Sequence, residues 1–133
     1  FAIEEVHETA REAHQLSIDI VRAIEQSCKA GTPCADLYLL AEKMVAERGM
    51  QSYFMGTTQQ AKFLGHGVGL EINEPPVLTS RSKEILEADM AIAVEPKFVL
   101  PGIGAVGIEN TYIVHESDFE KITLCEEAMV VLS

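Results

Sequence analysis

The hydrophobic pattern changes along this chain, and that change constrains the fold more than any other feature. Up to Gly49, apolar residues recur every three or four positions, as in amphipathic helices; from about Met90 they alternate with small or polar residues, as in strands. The segment between them is broken by glycines and by Pro75-Pro76, which exclude a helix there. This order predicts an α+β fold, with residues 1–133 as a single domain.

Two helices are predicted before Gly49. The first covers residues 1–30 and ends before Gly31; its predicted buried stripe comprises Ile3, Val6, Ala10, Ala13, Ile20 and Ile24. The second is predicted to have Thr32 as its N-cap and Pro33 as its first helical residue, and its stripe comprises Leu37, Leu40, Met44 and Val45. A short turn joins the helices, so we expect an antiparallel pair.

The strands on either side of PGIG, residues 101–104, are predicted to form a hairpin. Centring it on Gly102 pairs residues whose numbers sum to 204, which places Glu95 opposite Glu109. The neighbouring predicted pairs are Ala93 with Thr111 and Lys97 with Gly107. One face of this hairpin is apolar and suits a core, whereas the other carries small residues around the two glutamates.

Carboxylates that face each other across a strand pair repel, because their Cβ atoms lie only about 4.5–5.5 Å apart. The hairpin alone leaves four arrangements open. The face is simply hydrated, one carboxylate is protonated, Lys97 lies between the two, or a divalent cation binds both.

His66 adds a third candidate ligand. It lies between two glycines, so the backbone there can approach a neighbouring strand closely. A lone histidine more often has a structural role, but a histidine with two carboxylates is a common set for Mn, Co, Fe or Zn.

Three stretches, "GHGVGLEINEPPVL", "MAIAVEPKFVLPG" and "AVGIENTYIV", together resemble the pita-bread metallopeptidases: Xaa-Pro dipeptidase, aminopeptidase P and methionine aminopeptidase. The resemblance covers nearly the whole chain, most specifically residues 63–124. It implies the C-terminal half of a pita-bread catalytic domain, in which two helices are followed by a curved antiparallel sheet. It also implies a metallopeptidase that hydrolyses the bond before a proline.

The resemblance assigns roles to individual residues. His66, Glu95 and Glu109 match three of the five ligands of a centre that holds two divalent metal ions (Mn, Co or Zn), and Glu95 matches the residue proposed to shuttle a proton. The expected partner is a peptide substrate with a penultimate proline, and the expected assembly is a homodimer.

The sequence also departs from the family. The other two ligands are upstream aspartates, for which Asp19, Asp36, Asp89 and Asp118 are poor substitutes. We therefore expect a piece of a longer peptidase that alone is inactive or weak. Asn73 stands at a substrate-binding position where the family commonly has histidine, and Gly107 and Asn110 replace an arginine and an aspartate found in many prolidases.

Charge and composition exclude other classes. A net charge of −11 disfavours binding to nucleic acid, and no apolar run is long enough to cross a membrane. Cys28, Cys34 and Cys125 lack CxxC spacing; together with the absent leader they predict a cytoplasmic protein without a cysteine metal site. His7 and His14 are interpreted as ordinary surface or boundary residues.

Two alternatives to a peptidase stay open at this stage. One is a non-catalytic peptide- or protein-binding module on the same fold, which would not need the three ligands. The other is a metal-free enzyme of the creatinase type, which relies on histidines and is disfavoured by Asn73.

Overall fold

The structure is a computed structural model that describes residues 2–56 and 62–133. Two helices precede a five-stranded antiparallel sheet of order β3-β2-β4-β7-β8, and β5 and β6 form a separate hairpin. The α+β class is therefore confirmed. The elements are β1 (Ala2–Ile3), α1 (Glu8–Ser27), α2 (Cys34–Glu47), β2 (Gly65–Gly67), β3 (Glu74–Leu78), β4 (Ala91–Val94), β5 (Lys97–Leu100), β6 (Gly104–Gly107), β7 (Asn110–Val114), β8 (Phe119–Lys121) and β9 (Val131–Leu132).

The predicted start of the first helix is wrong. α1 begins at Glu8, and β1 precedes it, pairing in parallel with β9 at the other end of the chain. Ile3, predicted to be buried, is 75% exposed. Glu4 separates β1 from α1 with a left-handed φ of 65°, which interrupts a helix. Phe1, the first residue of the predicted helix, lies outside the described residues.

The ends of the helices also differ from prediction. α1 ends at Ser27, so Gly31 lies in the connection, with a φ of 90°. Pro33, not Thr32, is the N-cap residue of α2. The hydroxyl of Thr32 instead accepts a hydrogen bond from the backbone N–H of Lys29, and so it closes the preceding turn. Gly49 follows α2 with a φ of 67°, as expected for a glycine that ends a helix.

The hairpin register is confirmed wherever strands are paired. Ala93 lies opposite Thr111 in β4 and β7, and Lys97 lies opposite Gly107 in β5 and β6. The ladder is interrupted between these two parts, where Glu95-Pro96 faces Ile108-Glu109. The two glutamates therefore lie at a break in the hairpin, between the sheet and the outer strand pair.

The core lies between the helices and the apolar face of the hairpin. Of the predicted stripes, Ala13, Ile20 and Ile24 of α1 and Leu37 and Val45 of α2 are buried. Val6, Leu40 and Met44, also predicted to be buried, are only partly so. On its apolar face the hairpin buries Ile92, Val94, Phe98, Leu100, Tyr112 and Val114. The opposite face of the hairpin, which carries the glutamates, is thereby left open. Within residues 2–56 and 62–133, no helix is both long and apolar enough to cross a membrane.

Candidate metal centre

β2 places His66 in the middle of the sheet. This short strand lies between β3 and β4, and His66 is the Cα partner of Ala93. A Cβ atom at Gly65 would overlap the carbonyl oxygen of Ala93, and one at Gly67 would overlap that of Pro75. Both glycines are therefore required by the close packing of three strands. The sequence indicated a close approach here but did not predict β2 and β3 as strands.

The hydrogen bond of the His66 ring leaves one nitrogen free. Nδ1 lies 3.0 Å from the carbonyl oxygen of Gly67. A carbonyl oxygen can only accept, so Nδ1 carries the proton, and in the neutral ring Nε2 then has a free lone pair. This arrangement, in which one ring nitrogen donates to a carbonyl, is typical of metal-binding histidines.

Glu95 and Glu109 reach the same place from the break in the hairpin. The backbone N–H of Glu95 donates to the carbonyl oxygen of Leu64 at 2.8 Å, which joins this residue to the segment before β2. The Nε2 atom of His66 lies 3.8 Å from Oε1 of Glu95. One donor atom from each of His66, Glu95 and Glu109 lies within 4.8 Å of the others. Among the described residues, this is the only such grouping of histidine, cysteine, aspartate and glutamate.

The donor set fits a divalent ion. A tetrahedral ion bound at about 2.1 Å from each ligand holds its donors ~3.4 Å apart. Donor atoms that lie as much as 4.8 Å apart therefore have to move closer by up to about 1.4 Å to bind it. His66 is buried, Glu95 is partly buried and Glu109 is exposed, so the group is fixed on one side and open on the other. One imidazole with two carboxylates suits Mn, Co, Fe or Zn. In the part of the chain that is described, Lys97 forms no ion pair, so it does not neutralise the two glutamates.

In the described part of the chain, two cavities are each lined by two of the three donor residues. One, of about 240 Å³, is lined by Glu95, Lys97 and residues 105–109. The other, of about 250 Å³, is lined by His66, residues 68–72, Ala93, Glu109 and Thr111. Leu70 and Ile72 at the second cavity are 105% and 84% exposed, so they form an apolar rim that sequence reasoning missed. In the sequence, the sign of this rim was the pair of aliphatic residues in the stretch GLEIN, which belongs to a loop interrupted by glycines.

Asn73 lies at the end of the loop that carries this rim. It is exposed, and it is not among the residues that line the second cavity. The carboxylate of Glu74 accepts a hydrogen bond from the backbone N–H of Glu71 at 3.1 Å, which braces the loop. The assignment of Asn73 to substrate therefore stays a prediction.

A partly buried polar cluster behind the donors was not found from the sequence. Its centre is Glu127, whose carboxylate accepts hydrogen bonds from Asn110, Lys121 and Arg22. Burial alone would raise the pKa of Glu127, but hydrogen bonds from Lys121 and Asn110 and the charges of Arg22 and Lys121 outweigh it and hold that pKa below its ordinary value. The sequence signal was weak, because Arg22 lies on a distant helix and only Asn110 stood out as a departure.

The fold and the three donors can now be compared with known proteins. A sequence profile described as Metallopeptidase family M24 matches residues 1–116. The chain belongs to metallopeptidase family M24. An Xaa-Pro dipeptidase of Pyrococcus furiosus is 29% identical to it over 124 residues, which is 93% of this chain and 34% of that protein.

Solved structures agree with the family and with the predicted fold. An Xaa-Pro dipeptidase from Bacillus anthracis has a TM-score of 0.86 and 33% identity over 99% of this M24 chain and 36% of its own. An X-Pro aminopeptidase from Thermotoga maritima has a TM-score of 0.87 and 26% identity over 98% of this chain and 35% of its own. The pita-bread assignment is confirmed, and the chain spans about a third of the length of the relatives it matches.

Proposed function

We propose that this chain provides the metal-binding face of an Xaa-Pro peptidase, which hydrolyses the peptide bond before a proline. The observation that supports this best is the convergence of His66, Glu95 and Glu109, with donor atoms within 4.8 Å of one another. Membership of family M24 supports the hydrolytic chemistry. Relatives named Xaa-Pro dipeptidase and X-Pro aminopeptidase support the substrate class.

In this proposal the complete centre holds two divalent ions, either Mn, Co or Zn, and two aspartate ligands come from outside this sequence. The short coverage of the relatives supports that division. Three donors suffice for one ion only, so we expect the isolated chain to bind a single ion weakly. We therefore expect it to be inactive or weak alone.

Divalent ions, when bound, supply the Lewis acidity that polarises a peptide carbonyl and lowers the pKa of water. His66 contributes Nε2, held in orientation by its Nδ1–H bond to Gly67. Glu95 takes a proton from the attacking water at a carboxylate oxygen and delivers it to the proline nitrogen. That nitrogen carries no hydrogen in an Xaa-Pro bond, so it has to gain a proton before it can leave as an amine.

The open face provides room for the peptide. The cavity beside Leu70 and Ile72 suits an apolar substrate residue, and the exposed amide of Asn73 can donate to and accept from a peptide backbone. By resemblance, the working protein is proposed to be a cytoplasmic homodimer. Residues 1–133 are proposed to form one domain of it.

Titration of the 133-residue chain with MnCl₂ by calorimetry tests this function. We expect one weak site, which is lost in His66→Gln and kept in the control His115→Gln, since His115 is an exposed histidine outside the donor group. The absence of binding in the unmodified chain would contradict the metal role. If that chain nevertheless bound an Ala-Pro peptide, a non-catalytic binding module would be favoured. Two tight sites would contradict the proposal that ligands are supplied from outside.

A further inference from the structure

Glu127 joins three parts of the fold through one buried carboxylate. Its side chain is 8% exposed and lies in the irregular segment between β8 and β9. Oε1 accepts from Asn110 Nδ2 and from Lys121 Nζ, both at 2.7 Å. Oε2 accepts from Arg22 Nη2 at 2.8 Å. These donors belong to β7, β8 and α1, so Glu127 holds the C-terminal segment against the sheet and the first helix.

The side chain of Asn110 is held from both ends. It is 1% exposed, its Nδ2 donates to Glu127, and its Oδ1 accepts from the hydroxyl of Thr123 at 2.9 Å. This pair of bonds fixes which end of the amide faces Glu127. An aspartate at position 110 has no donor in its ionised form, so it would bring a second carboxylate against Glu127 in a buried site.

Asn110 adjoins the metal donors on both strands of the hairpin. It directly follows Glu109, and it is the Cα partner of Val94, which directly precedes Glu95. Asn110 and Val94 therefore form the last pair of the β4–β7 ladder before the break that carries both glutamates. The interactions that fix Asn110 therefore also fix the adjoining backbone of Glu109, and with it the base of the Glu109 side chain.

We propose that Glu127 is a positioning residue, which acts through Asn110 to hold Glu109 in the metal-binding group. The two side chains are matched as acceptor and donor. Because glutamate at position 127 requires a hydrogen-bond donor at position 110, asparagine is found there. This inference rests on the proposed metal-binding function, but it assigns a role to a residue that contacts neither metal nor substrate.

Exchange of the amide at position 110 and the carboxylate at position 127 tests whether the two side chains are matched as donor and acceptor. Asn110→Asp alone should weaken Mn²⁺ binding by calorimetry about tenfold or more, the usual loss when a residue supporting a ligand is changed. Asn110→Asp with Glu127→Gln should bind within about threefold of the unmodified chain, because the new amide donates to the new carboxylate and the pair is restored with its roles reversed.

A charge-matched control separates this from simple electrostatics. Asn110→Asp with Glu126→Gln has the same net charge as the rescuing pair. Glu126, however, is exposed, and within the described residues its carboxylate accepts only from the nearby backbone N–H of Ala128. This control should not rescue. The side-chain amide signal of Asn110 in ¹⁵N NMR should shift in Glu127→Gln, without metal.

The outcomes distinguish the inference from the proposed function. If the unmodified chain binds Mn²⁺ and Asn110→Asp binds equally well, the positioning role is overturned and the metal site stands. A loss that Glu127→Gln does not restore also overturns it. If Asn110→Asp fails to fold, the double variant decides alone, since it should fold and bind. If the unmodified chain binds no Mn²⁺, the proposed function and the positioning role both fail; the midpoints of thermal unfolding of the four variants then show whether the pair is matched for stability alone.

Discussion

The Nε2 atom of His66 lies 3.8 Å from Oε1 of Glu95, although the two residues belong to different segments of the chain. The backbone produces this approach, because His66 pairs with Ala93 and the N–H of Glu95 donates to Leu64. The two side chains are thus fixed by strand pairing rather than by an ion pair that forms only when His66 is protonated.

Glu109→Gln should weaken Mn²⁺ binding about tenfold or more, because an amide oxygen is a poorer ligand for a divalent ion than a carboxylate. Without metal, the thermal unfolding midpoint should stay equal or rise, since one of two neighbouring negative charges is removed. Calorimetry and thermal denaturation with and without MnCl₂ measure both effects. Glu116→Gln, at an exposed position outside the group, is the control. Equal Mn²⁺ affinity in the two variants would show that Glu109 is no ligand.

Lys97→Met should raise Mn²⁺ affinity about threefold at low salt. Lys97 lines the same cavity as Glu95 and Glu109, so its ammonium group repels a divalent ion there at a distance where the interaction is only partly screened. The gain should shrink as NaCl is added. Lys83→Met, an exposed lysine elsewhere, provides the comparison. A loss of affinity in Lys97→Met would indicate that the lysine supports the site rather than opposing the charge.

Iodoacetamide should modify one cysteine in the native chain and three in urea. Burial raises the pKa of the Cys28 thiol to about 12 and that of Cys34 to about 11, so both are protonated at pH 8 and shielded from the reagent. Cys125 is exposed. Intact mass measurement counts the adducts, and peptide mapping identifies them. Rapid modification of Cys28 or Cys34 before unfolding would contradict the packing of α1 against α2.

The Glu127 carboxylate should contribute to the loss of stability in acid. Its folded-state pKa lies below the ordinary value of 4.5, so it stabilises the fold above that pH, and this contribution disappears as the pH falls through the lower folded value. Glu127→Gln should therefore have a lower unfolding midpoint at pH 7 and a smaller difference from the unmodified chain at pH 3. Thermal denaturation from pH 3 to 7 measures this, and a constant difference across that range would be the contrary result.

The hairpin was predictable because its information is local. A turn at residues 101–104 fixes the register, and alternation then determines which side chains share a face with Glu95. The same rule put Lys97 opposite Gly107. The three ordered motifs added the pita-bread fold and the matching of His66 to a metal ligand, which spacing alone could not give.

The errors arose where distant segments decide the structure. β1 pairs with β9 across the whole chain, so the helical pattern at Ile3 was misleading. β2 and β3 consist of glycine- and proline-containing stretches that become strands by pairing, β2 with β4 and β3 with β2. Glu127 looked like one acidic residue among many, since its partner Arg22 belongs to α1.

Among the described residues, Glu109 alone lines both the cavity beside Lys97 and the cavity beside Leu70. It therefore divides the open face into two compartments, one walled by Lys97 and residues 105–108, the other by residues 68–72. If the proposed peptide substrate binds with its scissile bond at Glu109, the residues before and after that bond occupy different cavities. Substitutions among the residues that line one cavity can then change the preference for the substrate residue bound there. Glu109 and the preference of the other cavity stay unchanged.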